Sequence, residues 1–110
     1  MEHDSYVKLV IPNLQREGAN RICADLEGFD KPFAIKGFIP DVTAYFVYKT
    51  IICEIETPEE ISTDHTKQQC QAFASSGYEF RLYVPQDIVS TAKINLLDWG
   101  ISSKTKIYYF

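Results

Sequence analysis

The sequence lacks most of the features that mark membrane, secreted and disulfide-bonded proteins. No apolar run approaches the roughly 20 residues that a membrane-spanning helix needs, and the N-terminus, MEHDSYVKLV, has neither the basic region nor the apolar block of a signal peptide. The three cysteines, Cys23, Cys53 and Cys70, are odd in number and widely spaced, and they form no CxxC pair. These absences predict reduced thiols in a cytoplasmic protein that does not enter a membrane.

An excess of positive charge is also missing. The net charge is −4, from 11 Lys and Arg against 15 Asp and Glu, and the pI is near 5.1. This balance argues against a protein that binds nucleic acid through bulk charge. It does not exclude an enzyme whose acids hold a divalent metal ion, because the ion itself supplies positive charge at the site.

What the chain does contain is enough for one layered domain. Its 110 residues, 45% of them hydrophobic, fit a single domain over residues 1–110 with a thin core. There are no internal repeats, low-complexity tracts or linkers. Hydrophobic periodicity predicts the order α-β-β-β-α-β-α-β. A hairpin followed by a helix and a strand indicates a mixed α/β fold, in which helices flank a central mixed β-sheet.

Proline, glycine and capping residues set the expected boundaries. We predict a first helix that starts at Pro12 and ends near Gly28, then a short strand at 33–37. A hairpin with a two-residue turn at Tyr48 and Lys49 comes next. The remaining predicted elements are a helix over 63–76, a strand over 79–85, a helix over 86–99 and a closing strand in KTKIYYF. The connection through the 63–76 helix is expected to be right-handed.

The hairpin IPDVTAYFVYKTIICEIET, residues 39–57, carries three acids among β-branched and aromatic residues. Side chains alternate along strands, so Asp41 in the first arm and Glu54 and Glu56 in the second lie on one face. The predicted turn places Asp41 opposite Glu56 and within about 5 to 8 Å of both glutamates, whereas a longer turn moves its partner to Glu54. Because clustered buried carboxylates need a counter-charge, we predict a site for Mg²⁺ or Mn²⁺.

Pro40–Asp41, followed by Glu54-Ile55-Glu56 on the next strand, resembles the PD-(D/E)XK nuclease superfamily, which has the restriction endonuclease-like fold. The resemblance implies a divalent-metal-dependent nuclease that hydrolyses phosphodiester bonds, in DNA rather than RNA. It implies that Asp41 and Glu54 bind the metal. The chain departs from the family at Glu56, where the motif has a lysine, and Glu56 is therefore expected to be a further metal ligand or the base that orients water.

The helix after the hairpin supplies the other site residues that the resemblance implies. Family members place a Gln or Lys of that helix at the site, which implies Lys67 or Gln71 as the contact to the scissile phosphate or to water. Further candidates are Lys36 in the predicted strand at 33–37, Gln68 and Gln69 on the same helix as Lys67, and the acid Glu17 on the first helix.

Other interpretations of the same residues stay open. In one, the acids form a solvent-facing strand surface with Thr43, Tyr45 and Lys49 as partners. In another, the domain keeps the fold without the chemistry and binds nucleic acid or a partner protein, which the absent lysine favours. A nuclease of this size is expected to form a homodimer or to act beside a targeting subunit. His65 is expected on the surface, and His3, near the N-terminus, gives no indication of a role.

Overall fold

A computed structural model of the chain, which describes residues 2–110, contains one five-stranded sheet. Its strands lie side by side in chain order: β1 (Arg21–Ala24), β2 (Val42–Tyr45), β3 (Thr50–Ile55), β4 (Glu79–Val84) and β5 (Thr105–Tyr109). The first three strands pair antiparallel, whereas β3, β4 and β5 pair parallel. The mixed sheet with flanking helices confirms the expected α/β class. The order α-β-β-β-α-β-α-β also recurs, but its first strand is β1 and not the predicted segment 33–37.

Three α-helices cover the two faces of the sheet: α1 (Glu2–Arg16), α2 (Asp64–Ala74) and α3 (Val89–Asp98). One core cluster joins α1 to side chains such as Ile51 and Ile55. The other joins α2 and α3 to Ile52, Phe80 and Leu82. The alternation of β3 therefore divides its side chains between two thin cores. None of the helices within residues 2–110 combines the length and apolar character needed to span a bilayer.

The prediction for the first helix was wrong at both ends. The helix begins at Glu2, so that Pro12 lies inside it, and residues 21–24, predicted to be helical, form β1. Pro12 has no N–H to donate to the carbonyl of Lys8, but it is exposed, so water can take the place of the missing donor. The helical spacing of buried Val7, Val10, Ile11 and Leu14 ends before Gly18, whose φ of +104° suits glycine.

The predicted strand at 33–37 is a tight turn instead. Ile35 and Phe38 exchange backbone hydrogen bonds of 2.7 and 3.0 Å. Between them, Lys36 and Gly37 both have positive φ, +52° and +86°. This combination is typical of a two-residue type I′ turn.

The hairpin of β2 and β3 is confirmed, but its tip lies one residue earlier than predicted. Tyr45 pairs with Thr50, and the N–H of Phe46 donates to the carbonyl of Lys49 over 2.8 Å, which leaves 47 and 48 as the tip. The pairing therefore shifts by two residues. Because a shift of two residues keeps every side chain on its predicted face, the three acids still lie on one face of the hairpin.

A buried arginine ties the end of α1 to the sheet. Arg81 on β4 is 4% exposed. Its guanidinium donates to both carboxylate oxygens of Glu17 (2.8 and 2.9 Å), to Glu79 (2.8 Å) and to the Tyr83 hydroxyl (3.1 Å). The bond from Arg81 lowers the pKa of Glu17. Burial alone would raise the pKa of Glu79, but hydrogen bonds from Arg81 and Lys49 lower it to about 2.

Candidate functional site

The three hairpin acids meet at one end of the sheet. Asp41 stands one residue before β2 begins, and Glu56 stands one residue after β3 ends. Glu54 is the second-last residue of β3. The N–H of Asp41 donates to Oε1 of Glu54 over 3.2 Å, and the N–H of Ile55 donates to Oδ2 of Asp41 over 2.8 Å. The partner of Asp41 is therefore Glu54, the alternative that was expected from a longer turn.

All three acids face one cavity of about 330 Å³. It lies between the first turn of α1, the ends of β2 and β3, and the first turns of α2. The other residues that line it are His3, Glu60, Thr63, His65, Thr66 and Gln69. Because Glu54 and Glu56 are 4% and 3% exposed, they do not form the solvent-facing surface considered as an alternative.

Glu54 and Glu56 form a buried carboxyl pair. They stand two positions apart at the end of β3 and are close enough to influence each other's pKa. Burial raises the pKa of Glu54 well above its usual range, and the nearby charge of Asp41 adds to the effect. Burial also raises the pKa of Glu56, to about 7, with Asp41 and Glu60 contributing. The Thr66 hydroxyl donates to Oε1 of Glu56 over 3.3 Å and orients it.

His3 closes the cavity from the side of α1. Its Nε2 lies 3.2 Å from Oδ2 of Asp41 and 3.0 Å from the carbonyl oxygen of Ile55. The hydrogen bond to Asp41 raises the pKa of His3 to about 9, although partial burial opposes this. Sequence reasoning missed this residue because the contact spans 38 positions and no local pattern announces it.

The loop between β3 and α2 holds the opposite wall. Thr63 is the N-cap of α2: its hydroxyl accepts from the N–H of Thr66 over 3.2 Å and donates to the carbonyl of Glu60 over 3.0 Å. The Thr57 hydroxyl donates to Oε1 of Glu60 over 3.0 Å. These local bonds place Glu60 and Thr66 at the cavity. The helix predicted over 63–76 is thus confirmed as α2, Asp64–Ala74, with Thr63 as its cap.

The helix residues implied by the resemblance lie elsewhere. Lys67 is exposed on α2, and Nε2 of Gln71 donates to the carbonyl of Trp99 over 3.1 Å. Neither is among the residues that line the cavity, whereas Gln69 is. Lys36 donates to Oγ of Ser75 over 2.7 Å, and Glu17 pairs with Arg81 on the other face of the sheet. Gln68 is exposed.

The donors suit a hard cation in kind, although their present arrangement is not a metal cage. Across residues 2–110, no three His, Cys, Asp or Glu side chains are positioned to hold a metal ion. Carboxylate oxygens are the ligands that Mg²⁺ and Mn²⁺ prefer. Asp41 and Glu54 already make bonds to backbone N–H groups, and the raised pKa of both glutamates means that metal binding must compete with protons.

Comparison with known proteins adds no relative to this geometry. No protein-family model matches the chain, and no curated protein or solved structure matches it. The chemistry of the site is therefore argued from its own side chains: clustered carboxylates, an imidazole and hydroxyl groups around one cavity.

Proposed function

We propose that the chain is a divalent-metal-dependent nuclease that hydrolyses phosphodiester bonds, in DNA rather than RNA. The observation that carries the proposal is the convergence of Asp41, Glu54 and Glu56 on one cavity at the end of a mixed sheet. The order α-β-β-β-α-β through β4 supports a restriction endonuclease-like core of the PD-(D/E)XK type. A divalent cation would relieve the mutual repulsion of these buried carboxylates.

In this proposal Asp41 and Glu54 would hold Mg²⁺ or Mn²⁺, with Glu56 as a third oxygen donor or as the base. When bound, the ion supplies an activated water and neutralises charge on the phosphate. The N–H of Ile55 fixes the Asp41 carboxylate, and the Thr66 hydroxyl fixes Glu56. Burial raises the pKa of Glu56 to about 7 in the metal-free site, and a base with a pKa near neutral is suited to accept a proton from water.

The test is cleavage of plasmid and single-stranded DNA with Mg²⁺, Mn²⁺ or a chelator. We expect cleavage that depends on the added metal and that Asp41→Asn abolishes. Asp87→Asn is the matched control, because it removes an exposed acid in the turn before α3. Cleavage that persists in the chelator, or that Asp41→Asn leaves unchanged, would contradict the proposal.

A second candidate is a non-catalytic domain of the same type that binds nucleic acid or a partner protein. The observation that favours it is Glu56, a buried acid that accepts a hydrogen bond from Thr66 and stands at the position of the motif lysine. Fluorescence anisotropy measures DNA binding, and the cleavage assay measures hydrolysis. DNA binding without any hydrolysis in Mn²⁺ would select the second candidate.

A homodimer or a separate targeting subunit belongs to the nuclease proposal, because the net charge of −4 gives the chain little general affinity for DNA. Light scattering during size-exclusion chromatography, with and without DNA, measures the oligomeric state directly. A monomer that cleaves DNA unaided would remove the need for either partner.

A further inference from the structure

The end of the sheet opposite the acid cavity carries a cluster of positive charge. Nζ of Lys49 and Nζ of Lys106 lie 3.2 and 3.3 Å from the same oxygen of Glu79. The buried Arg81 donates to the other oxygen of Glu79 over 2.8 Å and also pairs with Glu17. Three cations therefore share the Glu79 carboxylate, and this end of the sheet keeps an excess of positive charge although the whole chain carries −4.

Two further lysines extend this cluster beyond the strands. Lys104 stands just before β5, and Nζ of Lys36 donates to the hydroxyl of Ser75 at the end of α2 over 2.7 Å. Both lysines are exposed, and among the ion pairs of residues 2–110 neither takes part in one. Their charges are therefore available to an anion from solution.

Two open cavities adjoin along this surface. One, of about 330 Å³, is lined in part by Lys104 and Lys106, and the other, of about 380 Å³, by Ser75 and Lys104. Tyr78 lines both cavities, as Lys104 does, and Lys36 reaches the second one through its bond to Ser75. The lysines and the tyrosine thus border one continuous surface.

Tyr78 gives this surface an aromatic face. The residue is 43% exposed, and its ring contacts the ring of Phe33 with centroids 5.6 Å apart and planes inclined at 61°. The backbone N–H of Tyr78 donates to Oγ of Ser76 over 3.2 Å, which fixes the chain beneath the ring. An exposed aromatic ring beside lysines is the combination that binds a single nucleic-acid strand, by base stacking and by contacts to phosphates.

We propose that the surface formed by Lys36, Tyr78, Lys104 and Lys106 binds single-stranded DNA, with a base stacked on Tyr78 and phosphates contacting the lysines. A single strand is favoured over a duplex because its bases are free to stack. An acidic peptide would satisfy the lysines without needing the ring of Tyr78.

This surface is separate from the acid cavity. Glu79 at the start of β4 pairs with Ile51, and Glu56 lies about 17 Å further along the direction of β3, at about 3.3 Å per residue. The inference goes beyond the proposed function, because binding here needs neither a metal ion nor the hairpin acids.

The experiment measures the fluorescence anisotropy of a labelled oligothymidylate in EDTA, so that no metal-dependent hydrolysis can occur. We expect Tyr78→Leu to weaken binding about 10-fold and Tyr78→Phe, which keeps the ring, to retain it. Lys104→Gln should lower the slope of log affinity against log salt by about 0.7, the value for one phosphate contact in a single strand. Lys93→Gln is the control, an exposed lysine of α3 outside both cavities, and should change neither quantity.

Thermal unfolding checks that each variant is folded. Equal affinity of the wild type and Tyr78→Leu would overturn the proposal, and so would polyglutamate that displaces the labelled strand as effectively as unlabelled oligothymidylate does. A wild type that binds no oligothymidylate in EDTA would also overturn it, while the nuclease proposal would still be decided by metal-dependent cleavage and Asp41→Asn. Binding in EDTA by a protein that cleaves nothing in Mn²⁺ would support this surface and contradict the nuclease.

Discussion

The backbone N–H of Asp41 donates to Oε1 of Glu54 across 3.2 Å, so the side chain of an acid at the end of β3 binds the backbone just before β2. The bond is returned when the N–H of Ile55 donates to Oδ2 of Asp41. The carboxylates therefore join the two hairpin arms where the regular ladder stops. The same side chains proposed to bind metal also hold the backbone together.

This double role predicts that two variants of Asp41 will separate function from stability. Asp41→Asn keeps an acceptor for the N–H of Ile55, whereas Asp41→Ala leaves that N–H without one. We expect both variants to lose Mn²⁺ binding and the ion pair with His3, and Asp41→Ala to lose about 1 to 3 kcal/mol more unfolding free energy than Asp41→Asn. Urea unfolding and calorimetry measure the two effects. Equal stability of the two variants would show that the bond at Oδ2 contributes little.

The pH dependence of stability should reveal the buried glutamate pair. Burial raises the pKa of Glu56 from 4.5 to about 7, so above pH 4.5 the unfolded chain releases a proton that the folded protein retains. The free energy of unfolding should therefore fall as the pH rises from 4.5 through about 7. Glu56→Gln should flatten this fall.

The useful window for that comparison is pH 4.5 to 6.5. His3 also has a raised pKa, about 9, and its contribution is lost only as the pH rises from 6.5 through that value. Glu79, with a pKa of about 2, acts in the opposite sense below pH 4.5. A wild-type stability that increases with pH across the window would contradict the buried pair.

Arg81 should be a large contributor to stability. Replacing it with methionine keeps much of the apolar stem but removes the donors for Glu17, Glu79 and Tyr83. Because this leaves buried or half-buried partners uncompensated, we expect a loss of about 3 kcal/mol in urea unfolding. Asp30→Asn is the control: the ion pair of Asp30 with Arg21 is exposed, so its loss should barely change stability. Similar losses of unfolding free energy in Arg81→Met and Asp30→Asn would contradict this prediction.

A buried hydroxyl offers a prediction of opposite sign. Within residues 2–110, Oγ1 of Thr43 is the buried side-chain oxygen or nitrogen that lacks a hydrogen-bond partner. Thr43→Val keeps the shape and removes the unpaired group, so it should stabilise the protein by about 1 kcal/mol. Thr66→Val is the matched comparison, since the hydroxyl of Thr66 is bonded to Glu56, and it should destabilise. A loss of stability in Thr43→Val would mean that its hydroxyl has a partner in solution.

The N-cap of α2 can be tested with a conservative pair. Thr63→Ala removes the acceptor for the N–H of Thr66, and Thr63→Ser retains it. The alanine variant should lose about 1 kcal/mol of unfolding free energy and the serine variant much less. Because the cap also holds the wall of the cavity, Thr63→Ala should weaken Mn²⁺ binding as well. A serine variant as unstable as the alanine one would exclude the cap as the cause.

The clustering of the acids could be predicted from the sequence, because a register shift of two residues leaves every side chain of a strand on the same face. Moving the hairpin tip from Tyr48 and Lys49 to 47 and 48 shifts the register by two, and Asp41 still shares a face with both glutamates. A shift of one residue would have put them on opposite faces. The capped start of α2 was equally accessible, since Thr63 carries a local hydrogen-bonding signal.

The parts that could not be predicted depend on contacts distant in sequence. Pro12 resembles a helix start, yet the helix passes through it because Val7, Val10 and Leu14 pack on the sheet. Once that start was misplaced, His3 could not be recognised as a neighbour of the hairpin. The bond of Gln71 to Trp99 likewise depends on how α3 packs, which no pattern around residue 71 encodes.

The hairpin tip is 85% exposed at Val47 and 87% at Tyr48, at the end of β2 and β3 remote from the acids. A fluorophore or a short peptide could therefore be grafted there with no loss of packing and no steric conflict at the cavity. Such a handle would let the protein be immobilised with its acid-lined mouth facing the solution, a geometry suited to single-molecule measurements on tethered DNA.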